Sequence, residues 1–182
     1  MSALPASLLE AVSFSARAHK TQQRKDGQTP YASHPFRVCL IARQLFGIDD
    51  PRVLTTAVLH DTIEDTTTDR DDIIARFGPE VGDWVAQLSK DTRLADEPRE
   101  AAYCKTLSES CWQVRICKLA DMYDNLSDMG HMPPEKRGRT LQRTQMYFDA
   151  LKKNLPEQAR NAFEIVQDLH SKLSAAHEAG AV

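Results

Sequence analysis

Apolar positions return every three or four residues along almost the whole chain, and no segment alternates in the manner of a strand. Leu8, Leu9, Val12 and Ala16 fall on one face of a first predicted helix. A second is predicted over 35–46, with Val38, Ile41, Ala42 and Leu45 facing inward. Asp50 followed by Pro51 is a helix start, with an acceptor at the N-cap and proline at the first position. The helix it opens is predicted to run unbroken through VLTTAVLHDTIED, and its apolar centre predicts a place in the middle of the domain. DRDDIIARFG and PEVGDWVAQLSKD predict two further helices separated near Gly78. TRLADEPRE reads as a flexible polar connection to a sixth helix over 101–107. CWQVRICKLADMYDNL predicts a seventh, with Val114, Ile116, Leu119 and Ala120 in the core. RKDGQTPYASHP and GHMPPEKRGR read as loops because glycine, proline and polar residues dominate them. Helices over 140–154 and 156–177 close the chain. The expected fold is an all-α bundle of about eight to nine helices.

Some polar residues sit where that pattern does not want them. His60-Asp61 and Glu64-Asp65 come at the end of the apolar run LTTAVLH. Residues four apart on a helix share a face, so His60 is expected above Glu64 and Asp61 above Asp65. Ionisable groups at the end of a buried helix are costly without compensation, and a divalent cation is the simplest compensation. The alternative is a solvated helix end, although acidic groups there have the wrong sign for the helix dipole. His34, in Ser-His-Pro, and Asp121, midway along an apolar helix, are further candidate ligands. Taken alone, His34 suits a capping or core histidine equally well, and Asp121 suits a buried group with a hydrogen-bond partner.

Composition narrows the options. The net charge of -3 gives no reason to expect nucleic acid as a partner, so an anionic substrate would need a local basic pocket. No run approaches the roughly 18 apolar residues of a membrane span, and the amphipathic N-terminal segment MSALPASLLEAVSFSARAHK lacks the pattern of a signal peptide. Cys39, Cys104, Cys111 and Cys117 form no CxxC pair, so reduced, half-buried thiols in a cytoplasmic protein are expected rather than a zinc site.

The motifs RKDGQTPYASHP, AVLHDTIEDTTT, FGPEV and KLADMYDNL, in that order, resemble the HD superfamily of metal-dependent phosphohydrolases. Within it, the chain is similar to the hydrolase domain of RelA/SpoT proteins, and in layout to the small alarmone hydrolases, over about residues 11–147. The resemblance implies that His34, His60, Asp61 and Asp121 ligate one divalent ion, usually manganese, and that Glu64 and Asp65 form an acid/base pair beside it. It implies that Arg24, Lys25, Asn125, Arg143 and Tyr147 bind substrate. The implied activity is removal of the 3′-diphosphate from ppGpp or pppGpp, giving GDP or GTP and pyrophosphate. A related nucleotide phosphohydrolase, for example one removing the 2′-phosphate of NADPH, and a non-catalytic nucleotide sensor stand as alternatives. The long RelA/SpoT enzymes read KLADRLHN where this chain reads KLADMYDN, so Met122 and Asp124 depart from the pattern. Arg93 or Arg99 is expected to serve the phosphates. A single hydrolase domain over 1–182, without synthetase or regulatory domain, is expected.

Overall fold

The computed structural model describes residues 5–180; residues 1–4, the start of the predicted N-terminal helix segment, and 181–182 lie outside the description. Ten α-helices account for most of the described residues: α1 (Ala6–Ala18), α2 (Ser33–Leu40), α3 (Pro51–Leu59), α4 (Thr62–Asp65), α5 (Arg70–Phe77), α6 (Pro79–Leu88), α7 (Asp96–Glu109), α8 (Trp112–Ser127), α9 (Pro134–Leu151) and α10 (Glu157–Glu178). A π-helical turn (Ile41–Leu45) extends α2, and a 3₁₀ turn (Met129–His131) follows α8. Among the described residues there is no strand, only an isolated bridge from Gln23 to Pro30 that pins the base of a loop. The all-α class is therefore as the periodicity predicts.

Two helices carry the core. Every residue of α3 from Val53 to Leu59 is buried, because α1, α2, α6 and α8 pack around it. α8 lies beside it, and Val114, Ile116, Leu119 and Ala120 are fully buried as expected. The N-cap of α3 also forms as read: the Asp50 carboxylate accepts the Arg52 amide at 2.9 Å, and Pro51 needs no partner for the N–H it lacks.

Several expectations are corrected. α3 stops at Leu59, and the predicted continuous helix breaks at His60-Asp61 before restarting as the single turn α4. Local hydrogen bonds stabilise the break: the Thr62 hydroxyl donates to the Leu59 carbonyl at 2.7 Å, and His60 Nδ1 lies 2.8 Å from the Ala57 carbonyl. The π turn widens the end of α2, with the Phe46 amide donating to the Ile41 carbonyl five residues back. That shift turns Phe46 inward and leaves Leu45 39% exposed, against expectation. On α1, Leu9 is 54% exposed, and Ala11 and Ser15 join Leu8 on the buried face.

α7 begins at Asp96 and α9 at Pro134, so half of each predicted loop is helical. Pro98 and Pro134 fall in first turns, where proline breaks no helical hydrogen bond. Gly138 is tolerated within α9 because α10 crosses closely there; an added Cβ would sit 3.1 Å from the His177 ring. All four cysteines are free, but only Cys39 and Cys104 are half-buried, whereas Cys117 is buried and Cys111 is exposed at the start of α8.

Candidate metal centre and nucleotide cavity

Three parts of the fold bring the four predicted ligands together. His34 enters from the first turn of α2, His60 and Asp61 from the break after α3, and Asp121 from the middle of α8. His34 Nε2 lies 3.3 Å from Asp61 Oδ2 and 3.2 Å from Asp121 Oδ1, and His60 Nε2 lies 2.9 Å and 3.8 Å from the same two atoms. Ligand atoms of His34, His60 and Asp121 all fall within 4.8 Å of one another. Residues separated by 87 positions thus converge on one point.

The donor set fits a divalent cation. The Ala57 carbonyl can only accept, so His60 Nδ1 carries the proton, and Nε2 is buried with no hydrogen-bond partner of its own. His34 Nδ1 is taken by Asp124 Oδ2 at 2.6 Å, which likewise leaves Nε2 facing the carboxylates. Two imidazoles held through their far nitrogens and two carboxylates make a mixed N/O set suited to manganese, zinc or iron. Without a cation, protons hold the cluster together. Burial pulls the His34 pKa down, but hydrogen bonds to Asp121, Asp124 and Asp61 win and raise it well above the ordinary range. Against burial, the neighbouring histidines hold Asp61 well below the ordinary carboxylate value.

Glu64 and Asp65 flank this centre on α4. Burial raises the Glu64 pKa, against the pull of the Lys90 amide that donates to its Oε2 at 2.8 Å. Burial, reinforced by Asp61, raises that of Asp65. Tyr31 was not singled out by sequence. Its hydroxyl lies 2.6 Å from Asp61 Oδ2 and 3.1 Å from Asp65 Oδ2, tying the two pairs together. Gln22 donates to the Asp65 carbonyl at 2.6 Å and so holds the end of α4.

Tyr31, the four predicted ligands, Glu64 and Asp65 line a cavity of about 610 Å³. Arg24, Lys25, Lys90, Lys118, Lys136, Arg139 and Arg143 also line it, a local basic surface that the net charge conceals. Arg24 is fixed by Asp128, which accepts from Nε at 3.1 Å and Nη2 at 2.9 Å, and by Asn125 at 3.2 Å. Asn125 in turn donates to Asp121 Oδ1 at 2.6 Å. Arg143 and Tyr147 meet around buried Glu100, which accepts the Tyr147 hydroxyl at 2.7 Å and lies 3.7 Å from Arg143 Nε. Arg93 and Arg99 do not line the cavity: Arg93 forks onto Asp91 in solvent and Arg99 bonds Asp96. Lys90 from the same stretch of chain does line it, with Nζ 3.2 Å from Glu100 Oε1. Sequence reasoning also missed Lys118, although its position one turn before Asp121 on an apolar helix was a usable signal.

The HD domain family profile matches residues 11–156. The chain is 39% identical over 149 residues to the guanosine-3′,5′-bis(diphosphate) 3′-pyrophosphohydrolase of Xenopus tropicalis, covering 81% of this chain and 82% of that protein. It is 39% identical over 145 residues to the human protein of the same name, covering 79% and 80%. Among solved structures, a metazoan ortholog of SpoT described as hydrolysing ppGpp superposes with a TM-score of 0.84 at 26% identity, with both chains covered in full. No helix among the described residues is long and apolar enough to cross a membrane.

Proposed function

We propose that this chain, which belongs to the HD domain family, is a metal-dependent hydrolase that removes the 3′-diphosphate of ppGpp or pppGpp and releases GDP or GTP and pyrophosphate. One observation carries the reading: two histidines and two aspartates meet beside a carboxylate pair, in a cavity that seven lysines and arginines also line. The names borne by the relatives and by the superposed structure support the same substrate.

His34, His60, Asp61 and Asp121 would hold the ion, for which we favour manganese. Bound there, a divalent cation supplies an acidified water and polarises a phosphoryl oxygen. Glu64 and Asp65 are the acid/base pair. Their raised proton affinity suits them to accept the proton of the attacking water and to return one to the ribose 3′ oxygen as its bond to phosphorus breaks. Arg24, which Asp128 holds through Nε and Nη2, would stack on a purine, and Asn125 would meet the ribose. Lys25, Arg143 and Tyr147 contact substrate, joined by Lys90 and Lys118 toward the phosphates. The four free thiols support a reducing, cytoplasmic setting.

The test is a panel of ppGpp, pppGpp and NADPH compared by kcat/KM on manganese-loaded protein, since specificity is a ratio between competitors. Pyrophosphate release from the guanosine substrates is expected to dominate. Preferential release of phosphate from NADPH would replace the reading, and nucleotide binding without turnover would make the chain a sensor.

A further inference from the structure

Asp124 stands where the sequence leaves the pattern of the long RelA/SpoT enzymes, yet it is only 3% exposed and both its carboxylate oxygens are hydrogen-bonded. Oδ2 meets His34 Nδ1 at 2.6 Å. Arg37, one turn beyond His34 on α2, forks onto it, with Nε donating to Oδ1 at 2.6 Å and Nη2 to Oδ2 at 2.9 Å. Buried carboxylates are costly unless paired and fully hydrogen-bonded, and this one is both. Arg37 also reaches Asp128, which caps the C-terminal end of α8: its Nη2 lies 3.2 Å from Asp128 Oδ2. Asp128 in turn grips Arg24 through Nε and Nη2.

We infer that Asp124, locked by Arg37, is the positioning residue that orients His34 toward the cation, and that the same arginine braces the nucleotide-binding Arg24 through Asp128. The inference rests on the metal site proposed above. The geometry gives it a physical basis. An imidazole has two nitrogens, and whichever one is engaged by an outer carboxylate leaves the other free to ligate. The fork on Asp124 fixes the plane of that carboxylate, and with it the tilt of the His34 ring. Neither Asp124 nor Arg37 lines the main cavity, so their effect on cation and nucleotide must pass through His34 and Arg24.

The experiment measures manganese affinity directly, by competition with a chelating dye, on the full chain as wild type, Asp124→Asn and Arg37→Met. Nucleotide affinity is measured alongside it with GDP as probe. Both variants are expected to bind manganese about 10- to 100-fold more weakly, the usual effect of losing an outer partner of a histidine ligand. Arg37→Met is also expected to weaken GDP binding, whereas Arg37→Lys, which keeps the charge but loses the fork, should recover only part of both. Arg37 lies at the rim of the fold with its side chain 38% exposed, so its replacement keeps the test decisive if Asp124→Asn fails to fold. Wild-type manganese affinity in a folded Arg37→Met protein would overturn the inference and leave the metal site standing. A wild-type protein that takes up no manganese would overturn the metal site and this inference with it.

Discussion

Lys118 Nζ lies 2.7 Å from Asp121 Oδ2, one turn away on α8, with both side chains buried. The lysine is a permanent positive charge behind a predicted ligand, and its ammonium also stands 4.5 Å from the centre of the Tyr147 ring. It therefore joins the metal end of the cavity to the substrate end. Removing it takes away the leading favourable charge beside buried Asp121, which His34 and Asn125 still hold, so Lys118→Met is expected to lower the unfolding free energy of the cation-free protein by about 1.5–3 kcal/mol. Manganese should restore part of that loss, because the ion replaces the missing charge. Urea unfolding with and without manganese checks both halves; an unchanged midpoint in the cation-free variant would show that the pair carries no such load.

Glu64 and Asp65 are predicted to act on protons and not on the ion. Glu64→Gln and Asp65→Asn should each cut kcat by about 10² to 10⁴ while metal content stays at the wild-type level. His60→Ala should lose both. Elemental analysis beside a pyrophosphate-release assay separates these outcomes, and loss of metal from Glu64→Gln would move that residue into the ligand set.

Cation affinity should depend on pH with a definite sign. In the cation-free cluster the carboxylates raise the His34 and His60 pKa values against the effect of burial. A raised histidine pKa contributes stability that is complete below the ordinary value of about 6.5 and is lost as pH climbs through the raised one. Only the deprotonated rings can ligate, so manganese should bind more tightly as pH rises through that window, with protons released on uptake. Calorimetry in two buffers of different ionisation enthalpy measures the release; an affinity flat from acid to alkaline pH with no proton release would contradict it.

The loop that presents Arg24 and Lys25 is shaped by Asp26. Its carboxylate accepts the Gln28 and Thr29 amides at 2.9 Å each and the Thr29 hydroxyl at 2.6 Å, which holds its pKa down to about 2. A depressed carboxylate keeps its contacts above the ordinary value of about 3.9 and loses them only as pH falls through the lowered one, so the clamp is closed throughout the working range. Asp26→Ala should raise KM several-fold and leave kcat and metal content close to wild type. A fall in kcat at unchanged KM would show that the loop serves the chemistry instead.

What the sequence disclosed and what it concealed divide along physical lines. Period and caps announce helices locally, so the apolar faces of α3 and α8 and the Asp50-Pro51 start were legible. The break at His60-Asp61 was not, because the hydroxyl and imidazole that take the freed carbonyls read equally well as ordinary helical residues. The π turn that exchanges Leu45 for Phe46 moves the register by one residue, which no period reveals. At the site, the histidines and carboxylates stood out because charge in an apolar run is costly. Asp124 lies in such a run too, but its meaning depends on His34 and Arg37 arriving beside it in three dimensions, whereas Lys118, one turn before Asp121 on the same helix, was open to reading. The basic wall was the least legible part, since Lys90 and Arg139 look like any solvated surface charge until the helices close around a cavity.

Stripping the protein with a chelator and titrating manganese back while following pyrophosphate release from ppGpp tests the central claim in one measurement. Turnover should be absent in the stripped protein and should saturate at one ion per chain. Full turnover in the stripped protein, or turnover unaffected by His60→Ala, would mean that the convergence of His34, His60, Asp61 and Asp121 is not what drives the hydrolysis.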